Sequence, residues 1–214
     1  MQDKFFDKNY TYFIILFVLC VSCLVIYRIG DNHYKDGIAA EKRGDLAAAL
    51  KHLQEAENYR PLDSKCYIAC ANVYKKLAEI YKENAKATSD KDGEISLTAD
   101  EYYSDAMSDY NMAIKLKPKR AKYYYARGLC SLTTDSGQAI NDFNKAIKLG
   151  MKDIKVYYNR GCSYYNKVNY KPAILDFNKV INAKPDFAEA YYYRGVSYFY
   201  VYNSSKSKLD DKKA

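Results

Sequence analysis

Side chains able to do covalent or metal chemistry are scarce in this sequence. The 214 residues hold two histidines, His33 and His52. Neither lies in a Cys or carboxylate pattern at ligand spacing, so no zinc finger or metalloprotease helix is predicted. With imidazole so rare, no Ser/His/Asp triad can be assembled. Of the six cysteines, Cys20 and Cys23 lie in an apolar run, while Cys66, Cys70, Cys130 and Cys162 share no disulfide spacing. Cys66 and Cys70 stand one helical turn apart, where a free thiol packs as a small hydrophobe. The nine glycines are all accounted for. Gly37, Gly128, Gly161 and Gly195 fall at helix contacts, Gly44, Gly93, Gly137 and Gly150 at turns, and Gly30 at the end of the apolar run. None remains to cradle a phosphate. The sequence thus predicts no catalytic residue, no metal, no cofactor and no enzyme. What remains is recognition chemistry, carried by 25 Tyr and a net charge of +8. Lys and Asn can hold carboxylates or peptide backbone, and Tyr supplies rigid amphipathic contact.

The elements that must position these groups are helices. Only 9 Gly and 4 Pro argue against an all-β chain of tight turns, and 49% hydrophobic residues is too many for disorder. The stretch from Tyr10 to Ile29, YTYFIILFVLCVSCLVIYRI, contains one charge, Arg28, which can snorkel. About 20 residues at ~1.5 Å per residue cross a ~30 Å hydrocarbon layer. Tyr10, Tyr12 and Tyr27 sit where interfacial rings belong. A single N-terminal transmembrane helix is therefore expected. A cleaved signal is the first alternative, though no small-x-small site follows the run. A lipidated Cys23 is the second. The Lys and Arg counts on the two flanks lean slightly towards a cytoplasmic C-terminal domain, and free thiols suit a reducing compartment.

The remainder is periodic. ALKHLQEAENYRP (49–61), AMSDYNMAIKLKP (106–118), AINDFNKAIKLGM (139–151) and AILDFNKVINAKP (173–185) share one pattern. YYYARG (123–128), YYNRG (157–161) and YYYRG (191–195) share another. Gly128 and Gly161 are 33 residues apart, and Gly161 and Gly195 are 34 apart. Small residues at fixed places let two antiparallel helices approach, aromatics fill the gaps between pairs, and Pro61, Pro118 and Pro185 close each second helix. Pro172 instead falls in a first turn, where a missing N–H is tolerated. A single hairpin cannot bury its own face, so neighbours must stack.

This register resembles the tetratricopeptide repeat, a helix A, a turn and a helix B. The resemblance rests on residues such as Gly37, Leu46, Ala49, Ala56 and Pro61 in the first unit, and Tyr157, Gly161, Ala173, Phe177 and Pro185 in the fourth. It implies an all-α solenoid of about four repeats plus a capping helix, following a single N-terminal transmembrane helix. The expected divisions are 1–29 for tail and anchor, repeats at 30–63, 64–120, 121–153 and 154–187, a cap at 188–202, and a charged flexible tail at 203–214. The 64–120 unit carries an insert, 79–101, expected as an extended helix A followed by a mobile loop.

The resemblance also implies a concave ligand face lined by helix A. Carried over, that gives Ile68, Asn72, Lys75 and Lys76; Lys122, Tyr125 and Leu129; Lys155, Tyr158, Cys162, Tyr165 and Asn166; then Tyr192 and Phe199. Tyr125, Tyr158 and Tyr192 would form a row, with repeat packing as the competing use of the same rings. The two-carboxylate clamp known in some members is not matched, since Ile68 and Ala126 replace a Lys and an Asn. Arg127, Arg160 and Arg194 recur too regularly for ligand specificity and are read as structural. The function expected is a membrane-anchored scaffold binding partner proteins or peptides. The alternative is single-stranded nucleic acid held on a basic, Tyr-rich track. This is disfavoured, because most tyrosines are claimed by packing. Self-association through the C-terminal helix is a further possibility.

Overall fold

A computed structural model of the chain describes residues 3–88, 94–132 and 134–210. These residues form helices and turns without strands. The helices are α1 (Asp3–Arg43), α2 (Leu46–Tyr59), α3 (Ser64–Thr88), α4 (Glu94–Leu116), α5 (Ala121–Ser131), α6 (Ser136–Lys148), α7 (Ile154–Asn166), α8 (Tyr170–Ala183) and α9 (Ala188–Asp210). The chain divides into two compact units, Met1–Asp109 and Tyr110–Ala214.

In the first unit, the apolar run and the first helix A are one continuous helix, α1. The apolar run ends at Gly30, but the helix does not. Gly30 is buried, and a Cβ there would lie 2.7 Å from Arg60 Cγ and 2.8 Å from Tyr59 Cβ. The missing side chain lets α1 continue while the end of α2 crosses it. Arg60 is only 8% exposed. It donates to Asp31 Oδ1 at 3.1 Å, to the Tyr27 hydroxyl at 2.8 Å, and to Asp63. Its guanidinium lies 4.4 Å from the centre of the Tyr27 ring. Further along, Ala40, Ala49, Leu53, Ala69, Cys70 and Val73 form the core, and Gly37 admits Leu53. Gly44 makes the α1–α2 turn at φ +84°, and Asp45 caps α2 by accepting from the Ala48 N–H at 3.0 Å. The apolar side chains of α1 such as Phe13, Leu16, Phe17, Leu24 and Ile26 are exposed.

The 79–101 insert, expected as an extended helix A followed by a loop, is helical over most of its length. α3 runs on to Thr88 and α4 begins at Glu94. Strong helix formers such as Ala85, Lys86 and Ala87 extend α3 into the insert. Residues 89–93, with Gly93, lie outside the described residues.

The second unit stacks α5 on α6, α6 on α7, α7 on α8 and α8 on α9. Phe143 and Phe177 are fully buried against Gly128 and Gly161, where a Cβ would approach ring carbons to 2.8 Å. Asp135 and Asp153 cap α6 and α7 through backbone N–H groups at 2.8–3.1 Å. Gly195 was expected at a helix contact, but a Cβ built there meets nothing within 4 Å among the described residues. α9 also continues to Asp210, through most of the expected tail.

Candidate recognition surface

The helix A positions separate into residues that hold the protein together and residues left to its surroundings. In the first unit, Ile68 and Asn72 are half-buried on α3. Lys75 Nζ donates to Glu79 Oε1 and Lys76 Nζ to Glu41 Oε1, both at 2.5 Å. These two cations are neutralised within the unit.

In the second unit, several candidate ligand residues are engaged in packing. The Tyr125 hydroxyl accepts from Asn159 Nδ2 at 3.0 Å, and its ring lies 5.8 Å from Phe143. Tyr158 packs 4.9 Å from Phe187 and 6.2 Å from Phe177. Burial raises the pKa of both phenols, so each stays a neutral hydrogen-bonding group. Cys162 is buried in the same core, and its thiol is pushed up to about 11, which leaves it without nucleophilic character. Leu129 packs against the α5–α6 core, and Tyr165 sits edge-on to Tyr193 at 5.3 Å. By contrast, Lys122, Lys155 and Asn166 are exposed, and the two lysines make no ion pair among the described residues. Tyr192 is 65% exposed and Phe199 61%. The expected tyrosine row therefore reduces to one presented ring, Tyr192, beside two rings held in the stack.

Arginines tie the stack together at regular intervals. Arg127 forks onto Asp142, with Nε–Oδ2 at 2.8 Å and Nη2–Oδ1 at 2.6 Å, and its Nη1 reaches Asn111 at 2.5 Å. Arg160 repeats this on Asp176 at 2.7 and 2.6 Å and on Asn144 at 2.7 Å. Each arginine thus joins its own helix B to the preceding one, the structural role expected from its recurrence. Arg194 reaches Asn178 at 2.7 Å in the same way.

The helical-hairpin fold agrees with comparisons to solved structures. A crystal structure of MamA superposes with a TM-score of 0.67 at 19% identity, covering 86% of this chain and 89% of that one. PilW, a widely conserved type IV pilus biogenesis factor, gives 0.57 at 16% identity, covering 76% and 65%. The fold is that of the tetratricopeptide repeat. An O-GlcNAc transferase from Thermobaculum terrenum gives 0.55 at 13% identity over 74% of this chain, but this covers only 26% of the transferase. No protein-family model and no curated protein sequence matches the chain.

Two clusters in the Met1–Asp109 unit were not foreseen. At the α3 position equivalent to Arg127 and Arg160, the chain has Cys70, so Asp109, the counterpart of Asp142, has no arginine. Glu57, Cys70 and Asp109 bring ligand atoms within 4.8 Å of one another. Glu57 Oε1 is buried with no hydrogen-bond partner. Burial, then the charges of Glu57 and Asp105, push the Asp109 carboxyl up to about 7. Burial likewise raises Glu57, against a hydrogen bond from Cys70. The signal was in the sequence, as an Asp-aromatic-Asn tripeptide at 109–111 with no arginine in its own helix A.

The second cluster corrects the expectation that the histidines stand apart from other ligands. Antiparallel packing of α1 on α2 brings His33, His52 and Glu55 together. Sequence spacing could not show this, because His33 lies on the other helix of the hairpin.

Proposed function

We propose that the chain is a membrane-anchored scaffold that holds an extended, acidic segment of a partner protein on the helix A face of the Tyr110–Ala214 unit. The observation carrying this reading is the division of that face. The rings and cations that could serve the fold are already paired within it, whereas Lys122, Lys155, Tyr192 and Phe199 remain presented. Two unpaired lysines favour carboxylates, and exposed aromatic side chains supply anchoring area. The anchor is supported by an N-terminal helix, Ile15–Arg43 in its described part, that is long and apolar enough to cross a membrane. With Tyr125, Tyr158 and Tyr165 engaged in packing, the stacking platforms that a nucleic-acid track needs are largely used up.

The test is crosslinking and recovery of partners from membranes with the full-length chain. Lys122→Glu/Lys155→Glu and Tyr192→Ala/Phe199→Ala should each lose the same partner while keeping the helical circular dichroism signal. Recovery of the same proteins from wild type and both variants would refute the reading. Tyr192 and Phe199 lie on α9, the helix that self-association would use. Sedimentation of the full-length chain in detergent distinguishes that case, because a dimer lost in the aromatic variant alone would assign these rings to self-contact.

A further inference from the structure

The only two histidines of the chain meet at one place. His33 projects from α1 and His52 from α2, with Nδ1 atoms 3.5 Å apart. Glu55, one turn after His52, puts Oε2 2.8 Å from His33 Nδ1. A proton accounts for only part of this arrangement. If His33 Nδ1 donates to Glu55, the Nδ1 of His52 faces that same nitrogen at a separation too long for a good hydrogen bond. A shared cation satisfies all three donors. Zinc held at about 2.0–2.1 Å by tetrahedral donors places neighbouring donors about 3.3–3.4 Å apart, close to the 3.5 Å between the two Nδ1 atoms. The ion would enter by opening the 2.8 Å His33–Glu55 contact by about half an ångström.

The surroundings also suit a metal. His33 stacks flat on Tyr59, with ring centres 5.7 Å apart and planes 2° from parallel, which orients one ligand in advance. The side chains of His33 and Glu55 are 26% and 37% exposed, leaving an approach for the ion and a position for water. Two imidazoles with one carboxylate select zinc, copper or nickel over calcium and magnesium, which prefer all-oxygen sites.

We propose that His33, His52 and Glu55 form a binding site for a divalent transition-metal ion of the zinc class, with water completing the coordination. The ion joins α1 to α2 one turn beyond the apolar run, close to where Arg60 already ties the two helices. This site is independent of the recognition surface on the second unit.

Full-length, untagged chain in detergent micelles is titrated with Co²⁺, followed by Zn²⁺. The expected result is one Co²⁺ per chain, giving visible ligand-field bands without intense near-ultraviolet thiolate absorption, and displaced by Zn²⁺. His33→Gln and His52→Gln should each weaken binding by at least ~10-fold, and the isosteric Glu55→Gln by a smaller factor. Cys70→Ser should leave binding unchanged, with circular dichroism confirming that each variant is folded. Three results would overturn the proposal: no stoichiometric uptake, which leaves a proton as the occupant; binding that survives in the His33→Gln/His52→Gln double variant; or thiolate absorption that places the metal on Cys70, Cys20 or Cys23.

Discussion

The α5–α6 hairpin and the α3–α4 hairpin have the same backbone plan and opposite buried electrostatics. In the former, Asp142 is gripped by both arms of Arg127, and these hydrogen bonds hold the guanidinium above its ordinary pKa despite burial. In the latter, Asp109 meets Cys70 and Glu57, and burial with the nearby carboxylates pushes its carboxyl up to about 7, towards the neutral form. Small and aromatic residues set the approach of the helices in both, so the hairpin forms without the arginine. The arginine decides what charge the hairpin can bury and whether successive B helices are joined. The α3–α4 hairpin thus keeps the repeat's geometry and loses its electrostatic tie.

The largest effect should come from giving the second unit the defect of the first. Arg160→Ala strands Asp176, whose side chain is 3% exposed, and cuts the link to Asn144. Removing one partner of a buried, doubly hydrogen-bonded pair costs about 3–5 kcal/mol. The melting temperature of the full-length chain in detergent should fall by roughly 2–4 °C per kcal/mol, followed by circular dichroism. A fall no larger than that of Cys70→Ala would mean that the two hairpins do not differ as claimed. Glycine offers a second, smaller contrast. Gly161→Ala drives a methyl to 2.8 Å from Phe177 Cε1 and should cost about 1–3 kcal/mol. Gly195→Ala meets nothing within 4 Å and should stabilise by up to about 1 kcal/mol through helix propensity. Equal losses in the two variants would show that α9 is covered.

How much of this could be read from the chain follows from what each signal depends on. The hairpins and their boundaries depend on small residues, aromatics and prolines at a fixed period, and that period is explicit in the sequence. Arg127, Arg160 and Arg194 could be read as structural for the same reason. Three features depended on contacts between elements and escaped. Gly30 could be placed only at the end of the apolar run, because its packing partner, Arg60, lies thirty positions away. Gly195 looked like a contact because its counterparts are contacts, but no described side chain packs against it. The ligand face was carried over position by position, but whether a Tyr at such a position points into a groove or into the next repeat depends on its neighbours. Phe143 and Phe187 draw Tyr125 and Tyr158 inward, whereas Tyr192 stays exposed among the described residues.

The smallest predicted effect has a sign that tests the comparison most directly. Asp109 titrates near 7 when folded and near 3.8 when unfolded, so between these values the folded state holds a proton that the unfolded state has released. Stability contributed by this group is therefore present at low pH, falls as pH rises through that window, and does not recover above it. Glu57, raised by burial, acts in the same direction. Asp109→Asn removes the charge and should gain on the wild type as pH rises from 5 to 8. The expected gain is about 1 kcal/mol once the partial exposure of the carboxyl is allowed for. A melting-temperature difference that does not change between those pH values would show that Asp109 is solvated like any surface acid. Cys70→Arg sharpens the result. A guanidinium at the position held by Arg127 in the next helix A should pull the carboxyl down, so the melting temperature no longer falls over this range. If it still falls, the missing arginine is not what separates the two hairpins.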